Sequence, residues 1–222
     1  MLHKLSGVID VILPVLDEAE SLPLVLAAFP AGYEPLVVDN GSTDGSAEIA
    51  RRLGARVISE PHRGFGSACY AGLAAARMDL VCFMDADGSL DPLELAKVSD
   101  PVSSGEVMLC LGARDAEPGA WPLHARLANR LIALELRRRT NASLSDLGPM
   151  RCAPRERLLA LGLRDRAFAW PLEMVLCAAA AGWTIGETPI TYRRRAGGRS
   201  KVTGTARGTY RAMRDMSRAL SA

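Results

Sequence analysis

Leu80-Val81-Cys82-Phe83-Met84-Asp85-Ala86-Asp87-Gly88 is an apolar run that stops on two carboxylates. Consecutive apolar side chains bounded by a polar turn read as a strand buried on both faces. In extended backbone Asp85 and Asp87 leave on the same face, because strand side chains alternate. Two hard oxygen donors side by side can hold a divalent cation such as Mg2+ or Mn2+. Such a cation can bridge a diphosphate and stabilise it as a leaving group. Taken alone, the segment fits a plain polar turn equally well, with Asp91 as a helix N-cap.

The pattern repeats on both sides of this run. Residues 8–15 form an apolar strand that leads into Asp17 and Glu18, and residues 17–29 a helix. Residues 35–39 form a second strand, ending in Asn40-Gly41-Ser42-Thr43-Asp44-Gly45. A helix through Arg52 follows, then a strand over 56–59. Gly64, Gly66 and Ser67 open an Ala-rich helix, 91–103 is helical, and 107–111 is another strand. Strand and helix alternating at short intervals imply parallel βαβ units with helices on both sheet faces. Ligands of such sheets bind at the carboxyl ends of the strands, where the polar clusters fall. The second half reads as helices over 123–139, 154–161 and 171–182, short strands around Ile185 and 190–192, and a basic loop at 197–201. The expected architecture is a single α/β domain with a mostly parallel sheet.

Composition narrows the function classes. The 222 residues are 49% apolar and 23% charged, enough to bury a sizeable core. The longest charge-free runs (21–33, 64–76 and 174–186) are too short for a bilayer span, which needs about 20 residues, and no signal peptide is evident. Five scattered cysteines without a CxxC suggest reduced thiols, and three isolated histidines argue against a zinc site. A cytoplasmic protein without a nucleic-acid partner is expected; the oligomeric state stays open. The net charge of +2 is unevenly spread. Residues 193–218 hold nine Arg or Lys and one Asp, a net of +8, which leaves −6 for the rest. A basic tail on an acidic body suggests an anionic ligand or surface. Arg207, Arg211, Arg214 and Arg218 share one face of a basic amphipathic helix over 205–222, compatible with lying on an anionic bilayer. Docking on the body through Tyr210 and Met213 fits the same pattern.

The order of motifs resembles the family 2 glycosyltransferases of GT-A, Rossmann-like fold. The likeness is greatest to the catalytic domain of polyprenyl- or dolichol-phosphate sugar synthases. Residues 14–18 are similar to that family's Pro-x-x-Asn-Glu, with Asp17 for Asn. Residues 37–45 are similar to Val-Asp-Asp-x-Ser-x-Asp-Gly, with Asn40 for the second Asp. Asp85-Ala86-Asp87 is similar to the metal-binding Asp-x-Asp. Gly112-Ala113-Arg114, residues 146–151 and the loop 197–204 match further family segments.

The resemblance implies a glycosyltransferase domain over 1–204, with a nucleotide-sugar half to about 113 and an acceptor half beyond. It places Pro14, Leu16, Glu18, Asp39, Asp44, Asp85 and Ala86 around the nucleotide sugar, and Asp85 and Asp87 on the metal. Arg114, Arg126, Asn129, Arg199, Ser200 and Lys201 would meet the acceptor phosphate. The implied reaction is a metal-dependent, inverting hexosyl transfer from a UDP- or GDP-sugar to polyprenyl phosphate, by a peripheral membrane enzyme. A small-molecule or glycan hydroxyl acceptor is the alternative; it would need a carboxylate base, with Asp146 and Glu173 as candidates beside Asp87 and Arg114. A sugar-phosphate nucleotidyltransferase ranks below both, because residues 14–18 lack the Gly-rich basic loop those enzymes carry after the first strand.

Overall fold

The computed structural model describes residues 7–140, 142–197 and 214–216. Strand β1 (Ile9–Val15) is buried at every residue but Pro14. Helices cover both faces of a parallel sheet, so such a strand has to be apolar nearly throughout. Strands β2 (Tyr33–Asp39), β3 (Arg56–Ser59) and β4 (Leu80–Phe83) extend the sheet in parallel from β1 and β2. Helices α1 (Leu22–Ala27), α2 (Ser46–Arg52) and α3 (Phe65–Ala75) connect them. Past α4 (Leu95–Ser103) come β5 (Leu109–Ala116), α5 (Leu123–Thr140), β6 (Met150–Pro154), α6 (Arg155–Ala160), α7 (Trp170–Ala180) and β7 (Ile185–Tyr192).

The seven strands lie in the order β3-β2-β1-β4-β6-β5-β7. β6 runs antiparallel to both of its neighbours, β4 and β5, while β5 and β7 pair in parallel. One core lies between the sheet and α3, α5, α6 and α7, around Leu73, Leu136, Leu158 and Trp170. The other lies under α1, α2 and α4, around Leu22, Ala50 and Val98. The expected single α/β domain with a mostly parallel sheet is what the structure shows.

Several elements differ from the sequence reading, β7 being one continuous strand where two short ones were expected. α1 starts at Leu22, not at Asp17, because Asp17 has φ +53° and breaks the helical path; left-handed backbone is most accessible to Asn and Asp after Gly. β6 was not expected at all. The strand over 107–111 begins later and continues to Ala116, which carries Arg114 to the end of the sheet.

One charged residue locks the parallel half of the sheet. Asp10 is fully buried in β1, where its carboxylate accepts from Arg56 (2.8 Å) and from the backbone N–H groups of Arg77 (2.6 Å) and Met78 (3.1 Å). Those bonds compensate for burying the charge and tie β1 to β3 and to the loop before β4. The basic helix expected over 205–222 is described only at 214–216, which are helical. There Asp215 is buried and Met216 packs against the core, so at these residues the segment docks on the body. Arg199, Ser200 and Lys201 lie outside the described residues.

Candidate active site

The carboxyl ends of β1, β4, β5 and β7 converge on a cavity of about 780 Å3. Pro14, Leu16 and Glu18 enter it from β1 and its loop, and Asp85, Ala86 and Asp87 from beyond β4. Arg114 and Tyr192 line it from β5 and β7. Seven residues that the sequence nominated, 14, 16, 18, 85, 86, 87 and 114, are thus brought together. The cavity is also lined by Arg151, Trp170, Arg195 and the segment 214–216.

Its acidic side is bridged by one guanidinium. Arg195 donates to Asp87 (2.5 Å) and to Glu18 (2.6 Å). The backbone N–H of Ser89 donates to the second Asp87 oxygen at 2.9 Å. Burial works against the charge on Arg195, but Asp87 and Glu18 outweigh it and hold its proton more firmly than usual. Burial raises the Glu18 carboxyl, and Arg195 offsets only part of that. The Asp85 carboxyl is pushed up to about 7, first by burial and then by the neighbouring charge of Asp87. Among the described residues none donates a hydrogen bond to it. Such a carboxylate pair, crowded and under-neutralised, gains from a cation. Two oxygen donors at a cavity wall suit Mg2+ or Mn2+, with diphosphate and water completing the shell. Among the described residues no cluster of three or more His, Cys, Asp or Glu side chains could hold a metal unaided, so the ligand would have to supply much of the coordination.

Arg114 is held rigidly. Asp146 grips it in a two-point pair, Nε to Oδ2 at 2.7 Å and Nη2 to Oδ1 at 2.6 Å, and also accepts the Arg114 backbone N–H at 2.9 Å. The Trp121 ring lies 3.8 Å from the guanidinium carbon. Asn129 accepts from Arg114 at 3.4 Å and from the Leu147 N–H at 3.1 Å. Burial opposes ionisation of Asp146, but the Arg114 hydrogen bonds and charge win and hold its carboxyl below the usual range. A carboxylate so firmly ionised and already engaged is a poor proton acceptor. Asp146 therefore positions Arg114 and is corrected from base to anchor. Glu173 is corrected in the same way: it sits in the first turn of α7 and accepts from the backbone of Arg164 and Asp165 at 2.8–3.1 Å. It does not line the cavity.

The second polar cluster also turns inward. Asp44 accepts from Ala19 N–H (2.9 Å), Ser46 N–H (3.0 Å) and the Ser46 hydroxyl (2.5 Å). It clamps two loops and does not line the cavity, which corrects its assignment to the nucleotide. Asp39, buried, accepts the Ser42 N–H at 3.1 Å and does not line the cavity, unlike its neighbour Asn40. Asn40 explains its departure from the family pattern: its amide donates to the carbonyls of Glu60 (2.8 Å) and His62 (2.9 Å) and accepts from Gly64 N–H (2.8 Å). An Asp could not make both donations. Arg126 is exposed on α5, one turn from Asn129, and outside the cavity lining.

The α3 N-terminus, opened by Gly64, Gly66 and Ser67, is occupied by protein. Gly66 N–H donates to Ala167 O and Ser67 N–H to Arg166 O, both at 2.9 Å. A Cβ on Gly64 would meet Arg166 O at 2.1 Å, so glycine is needed for this close approach. Sequence reasoning missed several cavity residues, Arg151, Trp170 and Tyr192 among them, and had Arg195 only as one of a basic set suited to phosphate. Arg195 belonged to a noted basic run, and its place just past β7 was the available signal. Arg151 sits on β6, with donations to the carbonyls of Pro171, Leu147 and Gly148; burial lowers its pKa to about 10. Tyr192 carried no signal beyond ending a strand.

The family model for glycosyl transferase family 2 matches residues 10–159, which covers β1 through α6. The chain belongs to that family. This glycosyltransferase is 45% identical over 213 residues to a glycosyltransferase of Mycobacterium tuberculosis, spanning 96% of this chain and 98% of the relative. It is 31% identical to the low-salt glycan biosynthesis hexosyltransferase Agl6 of Haloferax volcanii, over 87% of this chain and 49% of that protein. Glucosyl-3-phosphoglycerate synthase of M. tuberculosis shares the fold, with a TM-score of 0.76 at 24% identity over 97% of this chain and 79% of that one. Mannosyl-3-phosphoglycerate synthase of Rubrobacter xylanophilus gives a TM-score of 0.74 at 22% identity, over 97% and 73%.

Proposed function

We propose that this glycosyltransferase moves a hexose from a UDP-sugar to a small anionic acceptor, with Mn2+ or Mg2+ held by Asp85 and Asp87. The observation that carries the reading is a single cavity that joins this carboxylate pair to Arg114, Arg151 and Arg195. The solved glucosyl-3-phosphoglycerate synthase complexes, which contain Mn2+, UDP and phosphoglyceric acid, support it.

The acceptor hydroxyl oxygen attacks the anomeric carbon from the face opposite the diphosphate and gives up its proton to water, since Asp146 and Glu173 are engaged elsewhere. The bond from that carbon to the diphosphate oxygen breaks, and its electron pair leaves with the diphosphate. A bound divalent cation would neutralise charge on that leaving group. Arg195 lies where it can exchange its carboxylate partners for diphosphate oxygens, and Arg114, fixed by Asp146 and Trp121, can hold an acceptor anion in place.

Polyprenyl phosphate is the second reading, and one observation favours it. A phosphate monoester attacks without losing a proton to the protein, and both nominated bases are spent on other partners. The test is a matrix of UDP- and GDP-hexoses against phosphoglyceric acid and polyprenyl phosphate, with Mn2+ or after chelation. Water-soluble product from a UDP-sugar supports the proposal, and product found only in organic extract transfers it to the lipid acceptor. No metal-dependent turnover with any pair defeats both readings. The anomeric configuration of the product checks the geometry of attack.

A further inference from the structure

Helix α5 (Leu123–Thr140) is apolar on two opposite sides. Asn129, Ala133 and Leu136 are buried against the body. At about 100° per residue, Leu123, Leu127, Leu131 and Leu134 gather on the outward side. They are 74%, 60%, 68% and 46% exposed. Single exposed leucines need no explanation, but four on one stripe of one helix mark a contact surface. Arg126, Arg130 and Arg137 border the stripe, Arg138 lies within it, and all four are exposed. The one acid on the helix is Glu135, which pairs with Arg139 at 2.7 Å and with Arg138 at 3.8 Å, while Arg137 donates to Leu144 O at 2.5 Å.

We propose that this face of α5 docks on an anionic lipid bilayer. The leucines enter the boundary between headgroups and acyl chains, and the arginines meet lipid phosphates. The sign of the charge selects this occupant. The spacing of Leu127, Leu131 and Leu134 would also suit a seam between two helices. A second copy packed on the same face, however, sets Arg126, Arg130, Arg137 and Arg138 against their own equivalents, with no free acid to offset them. An anionic surface turns that repulsion into attraction. Among the described residues no helix is long and apolar enough to cross a membrane, so the contact is a surface one. The sequence suggested such a surface on 207–218, yet 214–216 pack on the body; α5 presents it openly. Asn129 joins the opposite side of α5 to Arg114, so docking would bring the cavity wall close to the bilayer. The proposal concerns binding and stands whichever acceptor the cavity takes.

The test is co-sedimentation of the full chain with vesicles of phosphatidylcholine, alone or mixed with phosphatidylglycerol, alongside sedimentation velocity without lipid. Binding to the anionic vesicles that weakens with salt is expected, with little on neutral ones. The double substitution Leu127→Gln and Leu131→Gln should lower the affinity at least roughly tenfold, and Arg130→Gln with Arg138→Gln roughly thirtyfold. All four side chains are exposed, and circular dichroism verifies that the variants fold. Parental binding by the leucine variant overturns the proposal, as does absence of binding to anionic vesicles at low salt. A lipid-free dimer that the leucine variant dissociates overturns it too, and assigns the face to a second copy.

Discussion

Asn40→Asp replaces one atom group and is expected to cost far more than its size suggests. The Asn40 amide nitrogen donates to two carbonyls, those of Glu60 and His62, while its oxygen accepts the Gly64 N–H. A carboxylate keeps the acceptance and loses both donations. Each lost bond is worth about 1 kcal/mol. The partly buried carbonyl oxygens then face a negative charge, which adds about 1 kcal/mol more. A total near 3 kcal/mol is a large share of the stability of an ordinary domain. For a chain of this length it corresponds to a fall of about 6–12 °C in melting temperature. Scanning calorimetry near neutral pH measures it. The sign of the pH dependence is fixed as well. The new carboxyl, buried beside carbonyls, would have a folded pKa above its unfolded value, so the deficit is largest above that folded pKa and shrinks as pH falls through it. A melting temperature within about 2 °C of the parent, or a deficit that acidification leaves unchanged, refutes the reasoning. Either result would mean that the strand-end loops do not depend on this amide.

Three further outcomes are expected. Asp87→Ala should abolish transfer while leaving the far-ultraviolet circular dichroism and a cooperative melt intact; full activity would remove Asp87 from the metal and diphosphate site. Asp146→Asn should reduce turnover by loosening Arg114, and it should change acid stability in a definite direction. The native Asp146 carboxyl is held below the ordinary 3.8, so its contribution is present above that value and lost as pH falls through the lower folded one; acid titrations of parent and variant should converge below about pH 4. Native thiols should react slowly with a disulfide reagent, because Cys69, Cys82, Cys110 and Cys152 are buried and burial pushes Cys110 up to about 12. Half-buried Cys177 should react first, and prompt reaction of all five thiols would contradict the packing.

The strand ends were legible because burial on both faces demands an unbroken apolar run, so each polar cluster marks a carboxyl end. Asp85, Asp87 and Glu18 were found that way. Partners were not legible. Nothing in the spacing distinguishes Asp146 gripping Arg114 from Asp146 facing a substrate, since the thirty-odd residues between them fold back only through α5. Asp44 and Glu173 misled for the same reason: a carboxylate satisfied by backbone N–H groups looks the same in sequence as a free one. β6 was invisible because Arg151 interrupts a short apolar run between Pro149 and Pro154. Its charge is tolerated there only because three carbonyls converge on it. The stripe on α5 escaped notice because leucines on both sides of a helix read as one buried helix until the body shows which side it covers.

The placement of β6 bears on how the chain can be assembled. β4 forms its outer pairing with β6, and β5 reaches the rest of the sheet through that same strand. During synthesis β4 therefore offers an open edge until residues 150–154 have emerged. Unpaired N–H and C=O groups on such an edge are a template for pairing with another chain. A fragment ending near residue 113 would keep Glu18, Asp85 and Asp87 and still leave this edge bare. The residues before and after about 113 are thus stages of one sheet, and cutting between them should yield aggregates in place of two domains.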